Sequence, residues 1–381
     1  MKVLIVPMSA VAQMEGPFSR AEILAKTFLE SGIQVALCGE SSRVVSGTAH
    51  YFLSTPIPMG LPKWLGSRVY PFADRLGIIG RKTIHSFEEV LHVTGASAYP
   101  YLKTSIGEIR SAIRDFQPDI VYSEFNLSAM IAAKAESKPL MVSYSFPTQP
   151  DYAASPQFAG GVNRVLKELK QPQVKSALDL FLRADCRVIP SSDILEPVHG
   201  KNNLFVGPLK KVPVSQAANR KNCILVYLGN GTIPINRIRK VVFDTLRSAP
   251  YEVFLAGMRE RKDIGNIHLG RRFDFSALFP RTAVYINHGG QNSMMDGFLY
   301  GIPQLVCPGK VFERKYSADS VVKNGAGIAI TASEFSPDTI SKAVHYLTSD
   351  ESFRTNAEKL GKSLRCLGGT TAVLDYICSN F

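Results

Sequence analysis

Residues 283–298 read AVYINHGGQNSMMDGF: an apolar run, two glycines and then a helix-compatible segment. The apolar run predicts a buried strand over 283–286, because short apolar stretches bounded by turn residues are typical of strands covered on both faces. Glycines let a ligand approach the backbone closely, and the free N–H groups and dipole of a helix N-terminus favour an anion there. On composition alone, such a turn is more often only a tight connection. The stretch therefore predicts a strand, turn and helix of a parallel α/β sheet, with anion binding as the functional alternative.

Short apolar runs alternate with helix-compatible stretches along the rest of the chain. One series extends from 3–6 to 186–190, and a second extends from 223–228 to 304–307. This alternation predicts βαβ units, and hence a parallel sheet with helices on both faces. The segment between the two series is basic and contains proline, which is typical of a linker. The sequence thus predicts two α/β sheets joined by one linker.

The predicted domains are residues 1–205 and 222–381, with the linker at 206–221. A chain of 381 residues exceeds the length at which one hydrophobic core usually keeps growing. We expect the two sheets to face each other across a cleft, with the ligand beyond the carboxyl ends of the strands. The stretch from about 350 to the end is helix-compatible, and packing of the last helix back on the first domain stays open.

The composition, with 45% hydrophobic and 20% charged residues, is that of a globular protein and excludes a disordered chain. No apolar run approaches the roughly 20 residues that cross a bilayer. The six scattered cysteines are interpreted as reduced core residues. The net charge of +12 favours a phosphate-bearing substrate or a membrane surface, whereas the basic residues lack the aromatic interleaving of a nucleic-acid module. We expect a cytoplasmic protein that binds no nucleic acid, and peripheral contact with the inner face of the membrane stays open.

The segment that starts at His288 resembles the donor motif of the family 1 glycosyltransferases, the UDP-glycosyltransferase group. That motif has His, Gly or Cys, Gly, a variable residue, Asn, Ser, two apolar positions and Glu. In this chain the motif reads His288, Gly289, Gly290, Gln291, Asn292, Ser293, Met294, Met295 and Asp296, with Asp in place of the final Glu. The resemblance continues through the Gly-Ile-Pro at 301–303. It implies the GT-B arrangement of two Rossmann-like domains, diphosphate contacts from His288 and the following turn, and a ribose contact from Asp296.

The resemblance also places three flanking segments in the donor site. The residues concerned are Gly229, Asn230, Gly231, Arg272, Phe273, Glu313 and Arg314. Arg314 stands where the family has a Gln that binds sugar hydroxyls, and this difference is compatible with a charged sugar. Arg272 precedes the place of the family's base-stacking aromatic residue and could stack through its guanidinium plane instead. Each segment also fits an ordinary turn or solvated loop.

The general base of the family is a histidine in the loop after the first strand, and this chain has no histidine before His50. Pro17 stands where the spacing would place it. Glu15 is the nearest alternative, and Glu124, which follows a strand beginning Pro-Asp, resembles the partner acid of the family. A desolvated carboxylate can accept a proton near neutral pH, although a surface glutamate is more often only solvated. We predict Glu15 and Glu124 as catalytic candidates, and an acceptor that is already anionic stays the alternative.

The resemblance implies an inverting glycosyltransferase that moves a sugar from a UDP- or dTDP-sugar to a hydroxyl of a small-molecule, lipid or cell-envelope acceptor. A helix dipole and side chains can neutralise the leaving group, so we expect no metal and no cofactor. The proline-rich, aromatic and basic stretch at 55–101 is expected to shape the acceptor pocket or to touch an anionic membrane. Two rival functions are a nucleotide-sugar epimerase or hydrolase of similar fold, and a non-catalytic subunit of a partner glycosyltransferase.

Overall fold

The computed structural model describes residues 1–9, 15–40, 42–58, 83–210, 221–229 and 233–381. The chain forms two compact units. The first consists of Met1–Asp74, His85–Lys211 and Leu367–Phe381, and the second of Arg75–Ile84 and Val212–Cys366. Within the described residues each unit holds a seven-stranded, mostly parallel sheet with helices, so the predicted α/β fold class is confirmed.

The first sheet is parallel throughout its described pairs. Its strands are β1 (Lys2–Pro7), β2 (Gln34–Gly39), β3 (Ala49–Phe52), β4 (Ile120–Glu124), β5 (Leu140–Ser143), β6 (Cys186–Ile189) and β7 (Asn203–Phe205). They lie in the order β3-β2-β1-β4-β5-β6-β7. The chain therefore proceeds from β1 towards one edge and returns to build the other side from β4. The strand order therefore reverses between the neighbouring strands β1 and β4. This is the topological switch point, where ligands of such sheets bind at the carboxyl ends of the strands.

The second sheet repeats this plan with one antiparallel edge pair. Its strands are β8 (Cys223–Tyr227), β9 (Glu252–Ala256), β10 (Lys262–Ile264), β11 (Ile267–Gly270), β12 (Thr282–Asn287), β13 (Gln304–Val306) and β14 (Gly327–Ala329). They lie in the order β10-β11-β9-β8-β12-β13-β14. The switch point of this sheet is between β8 and β12, where Tyr227 is the register partner of Asn287.

Helices cover the sheets. The α-helices are α1 (Glu15–Glu30), α2 (Phe87–Val93), α3 (Tyr99–Phe116), α4 (Leu127–Ala135), α5 (Pro150–Ala153), α6 (Gly160–Glu168), α7 (Ile235–Leu246), α8 (Phe275–Leu278), α9 (Gln291–Leu299), α10 (Phe312–Lys323), α11 (Pro337–Ser349), α12 (Glu351–Cys366) and α13 (Thr370–Asn380). Short 3₁₀ helices lie at Phe146–Thr148, Pro156–Phe158, Ala177–Arg183 and Phe279–Arg281. Among the described helices, none combines the length and the apolar character that crossing a membrane requires.

The final segment of the chain belongs to the core of the first unit. Val373 and Ile377 of α13 are fully buried in one cluster with Leu24 and Phe28 of α1. The N–H of Gly369 donates to the carbonyl of Val206, 2.6 Å away, just before α13 begins. The second unit therefore ends at Cys366, whereas the predicted second domain extended to 381.

Candidate functional site

The glycine turn after β12 lies at the switch point of the second sheet. Gly289 has φ of +76°, in the left-handed region that favours glycine. A Cβ atom at Gly289 would lie 2.9 Å from the Arg314 carbonyl oxygen and 3.0 Å from Cγ1 of Val306. The Gly289 N–H donates to Oδ1 of Asn287 at 2.8 Å, and Asn287 is itself buried. The sheet and α10 therefore leave room only for glycine at this position.

His288 is enclosed between two glycines. A Cβ atom at Gly290 would lie 2.7 Å from Nε2 of His288, and one at Gly229 would lie 3.4 Å from its Nδ1. On the same side, Nδ1 is 3.5 Å from the Tyr227 carbonyl oxygen, and the two rings meet edge to face at 5.4 Å. The predicted glycines at 229 and 290 thus make space for this imidazole, which directs Nε2 towards the start of α9.

The surroundings of His288 hold its imidazole neutral. Burial and then the positive charge of Arg314 lower the pKa of His288 to about 4. Arg314 itself is half-buried, and desolvation lowers the pKa of its guanidinium. The free protein therefore presents a neutral ring beside a cation at this turn. Both groups were predicted as donor-binding residues, and the structure brings them together.

The N-terminus of α9 has no side-chain cap. Its N-cap residue is Gly290, which makes no side-chain cap hydrogen bond to the first turn. Gln291 is half-buried and Asn292 is exposed. Ser293 shares a hydrogen bond with the buried Tyr285 hydroxyl. The uncapped first turn, with His288 beside it, has the chemistry of an anion site.

The remaining predicted donor residues lie around this turn in different settings. Asp296 is half-buried on α9, close enough for its charge to add to burial in raising the pKa of Tyr300. Glu313 is exposed in the first turn of α10. Arg272 is exposed, whereas Phe273 is half-buried and meets the Phe254 ring at 5.4 Å. Asn230 and Gly231 lie outside the described residues.

Comparisons with known proteins agree with this geometry. Residues 241–367 match the family model described as "Erythromycin biosynthesis protein CIII-like, C-terminal domain". The chain is 25% identical over 278 residues to the "Uncharacterized UDP-glucosyltransferase YojK" of Bacillus subtilis (strain 168), an alignment that covers 66% of each protein. These matches support a glycosyltransferase similar to those of family 1.

Solved structures of glycosyltransferases share the whole fold. The glycotransferase of kitacinnamycin has a TM-score of 0.73 at 18% identity, covering 99% of this chain and 98% of that one. The spinosyn rhamnosyltransferase SpnG, solved with thymidine diphosphate, has a TM-score of 0.69 at 14% identity over the full length of both chains. The predicted GT-B fold of this glycosyltransferase is therefore confirmed.

At the switch point of the first sheet, this glycosyltransferase has a buried ion pair. Glu124 ends β4 and has no exposed surface. Its Oε1 accepts a hydrogen bond from Nε of Arg20 at 2.7 Å, and its Oε2 accepts a short one from the Ser143 hydroxyl. Burial raises the pKa of Glu124, and the two donors offset part of that rise. As placed here, the Glu124 carboxylate touches no solvent and cannot meet an acceptor directly.

The other catalytic candidate, Glu15, is the first residue of α1, but its side chain lies outside the described residues. Its role as a base stays a prediction. The sequence reasoning did not identify Arg20, although a signal for it exists. Arg20 shares the face of α1 on which Ala21, Leu24 and Phe28 are fully buried. A charged residue on an apolar helix face indicates a buried partner.

Proposed function

We propose that the second unit binds a UDP- or dTDP-sugar with its diphosphate at the first turn of α9. The observation that carries this proposal is the uncapped helix start at the switch point, where Nε2 of His288 faces Gly290. Backbone N–H groups at a helix start can stabilise negative charge as it develops on the departing diphosphate. The similarity to YojK, which is named as an uncharacterized UDP-glucosyltransferase, and to SpnG, which was solved with thymidine diphosphate, supports this donor class.

A bound diphosphate would act against the neutral state of His288. Anions within a few ångströms favour the protonated imidazole, so the ligand opposes the effects of burial and Arg314. In the free protein, therefore, Arg314 is charged at this turn and His288 is not. We propose that His288 donates through Nε2 to a phosphate oxygen, and that Arg314 adds a fixed positive charge nearby.

In the proposed reaction the first unit holds the acceptor, and its nucleophilic oxygen displaces the nucleoside diphosphate from the anomeric carbon with inversion. Backbone amides, His288 and Arg314 would stabilise the leaving group, so we propose that no metal is required. Lipid acceptors and contact with the inner membrane face stay predictions, because residues 59–82, within the stretch that suggested them, lie outside the described residues.

The donor site is tested by replacing His288. We expect His288→Ala to lower kcat/KM by about 10²- to 10³-fold, because one preorganised donor to the leaving group is lost. The matched control is His345→Ala, which removes an exposed histidine of α11 in the same unit. Turnover is followed as nucleoside diphosphate release from UDP-glucose or dTDP-glucose, with EDTA and with Mg²⁺. Equal turnover by the two variants would contradict the assigned role.

Two further measurements on the unmodified protein, its melting temperature with nucleotide and its product formation, separate the rival functions. A non-catalytic subunit would show no rise in melting temperature with UDP or dTDP, since only a ligand of the folded state stabilises it. A nucleotide-sugar hydrolase would release nucleoside diphosphate without glycosylated product. We expect a rise in melting temperature with one of the two nucleotides, and product formation that depends on an acceptor.

A further inference from the structure

The buried cation at the carboxyl edge of the first sheet indicates what the acceptor presents there. Arg20 is 8% exposed, and its guanidinium lies at the switch point between β1 and β4. Its Nε is bound to Glu124 at 2.7 Å, and its central carbon lies 5.4 Å from the centroid of the Phe125 ring. Glu124 and the Phe125 ring therefore hold the guanidinium in place, and of its three nitrogens Nε donates to a described residue.

The two terminal nitrogens of Arg20 carry hydrogen-bond donors that no described residue accepts. Beside Phe125, a small cavity is lined by Met8, Ser9, Asn126 and others at the ends of β1 and β4. A planar guanidinium with two free donors matches the geometry of a carboxylate.

The nearby carboxylate cannot act as the base at this position. Both oxygens of Glu124 accept hydrogen bonds, from Arg20 and from Ser143, and the side chain has no exposed surface. A cation beside a nucleophile stabilises the anionic form of that nucleophile. The charge arrangement thus favours an acceptor oxygen that arrives without its proton.

We propose that the acceptor nucleophile is a carboxylate, oriented by the two terminal nitrogens of Arg20. This inference rests on the proposed glycosyltransferase function and specifies its acceptor class. One carboxylate oxygen forms a bond to the anomeric carbon while the bond from that carbon to the diphosphate oxygen breaks. The bonding pair leaves with the nucleoside diphosphate, and the product is a glycosyl ester. The step requires no proton transfer, which agrees with the absence of a histidine before His50. The net charge of +12 favours such anionic substrates.

The test compares matched acids and alcohols with the intact protein. The pairs are benzoate with benzyl alcohol and cinnamate with cinnamyl alcohol, and azide and formate serve as small anions against methanol. Release of nucleoside diphosphate is measured with the donor sugar that shifts the melting temperature. We expect kcat/KM for the acids to exceed that for the alcohols by roughly 10- to 100-fold, from hydrogen bonds to a charged group. The rate should stay level between about pH 6 and 8, because a carboxylate is already ionised there.

A paired substitution removes the cation without leaving a buried charge. Arg20→Met alone would strand Glu124 and could prevent folding, so the variant is Arg20→Met with Glu124→Gln. The melting-temperature shift with UDP or dTDP reports whether that variant is folded and still binds the donor. We expect it to keep this shift and to lose the preference for anions.

Three results would overturn the carboxylate proposal while donor binding persists. Alcohols could be used as well as acids, no anion could accelerate donor consumption, or the paired variant could keep the preference. Loss of the nucleotide shift in the unmodified protein would instead overturn the proposed function, so the two failures can be told apart.

Discussion

At the residue scale, the lowered pKa of His288 makes the stability of the folded chain depend on pH. Its pKa of about 4 in the folded chain lies below the ordinary value of 6.5. The folded state therefore binds fewer protons than the unfolded state between these values. The free energy of unfolding is therefore unaffected by protonation of His288 above about pH 6.5. It decreases as the pH falls from there to about 4, by about 3 kcal/mol in total. The burial of this imidazole therefore makes the stability of the fold sensitive to acid.

We predict that NMR titration of His288 shows a neutral ring from pH 7 down to about 5 in the free protein. Adding UDP or dTDP should raise the pKa of His288, because the diphosphate favours the imidazolium. The resonance of His345, which is exposed on α11, serves as the internal reference and should not respond to the nucleotide. A His288 ring that is already protonated at pH 6, or that ignores the nucleotide, would contradict this account.

The residues of the turn could be predicted from the sequence, whereas the residues that hold them could not. His288, Gly289 and Gly290 are consecutive, and their chemistry is visible in one segment. Tyr227 contributes a carbonyl from a strand 61 positions earlier. Likewise, Arg20 and Glu124 are 104 positions apart. Pairs of this kind depend on strand order, which local periodicity does not specify.

At the element scale, Gln304 connects α9 to the end of β12 from its place on β13. Gln304 accepts a hydrogen bond from the Asn287 amide at 2.8 Å and donates to the Met294 carbonyl at 2.9 Å. Asn287 in turn accepts from the N–H of Gly289. A Cβ atom at Gly297 would lie 2.4 Å from Nε2 of Gln304. The start of the helix is thus positioned by buried hydrogen bonds below the turn.

We predict that Gly297→Ala displaces Gln304 and weakens nucleotide binding although residue 297 is not one of the predicted donor contacts. Overpacking of this kind costs about 1–3 kcal/mol of stability. The control is Gly107→Ala in α3, where a Cβ atom meets nothing within 4 Å, and where alanine should be neutral or stabilising by up to about 1 kcal/mol. Urea denaturation and titration with UDP or dTDP measure both effects. Wild-type affinity and stability in Gly297→Ala would show that this contact relaxes freely.

Most strands of the second sheet were predictable, but β10, the antiparallel strand at its edge, was missed. β10 is three residues long and carries exposed charges, so no apolar run marks it. A signal was present in Gly265-Asn266, a two-residue connection of the type found in hairpins. Because the flanking apolar run before Gly265 is a single isoleucine, periodicity alone could not indicate the strand.

At the scale of the whole molecule, both units place charged or polar groups at the same topological position. In the first unit this is the Arg20–Glu124 pair at the end of β4, and in the second it is His288 with Arg314 after β12. Alternating strands and helices predict the two sheets, because each βαβ unit is local. The unit to which α13 belongs was not predictable in this way. Its apolar face is compatible with packing on either unit, and local sequence does not distinguish between them.

We predict that Ile377→Ala selectively destabilises the first unit, by about 2–5 kcal/mol, because it removes a fully buried side chain from that core. The control is Cys378→Ala, an exposed neighbour on the same helix, which should change stability by less than about 0.5 kcal/mol. Urea unfolding is followed with and without UDP or dTDP, whose stabilising effect reports the folded second unit.

If α13 packed on the second unit instead, Ile377→Ala would weaken the stabilising effect of the nucleotide. A wild-type midpoint for Ile377→Ala would mean that α13 contributes nothing to either core. The expected pattern is an earlier transition for the first unit with the nucleotide-dependent transition retained, because the residues that position the diphosphate all precede Leu367.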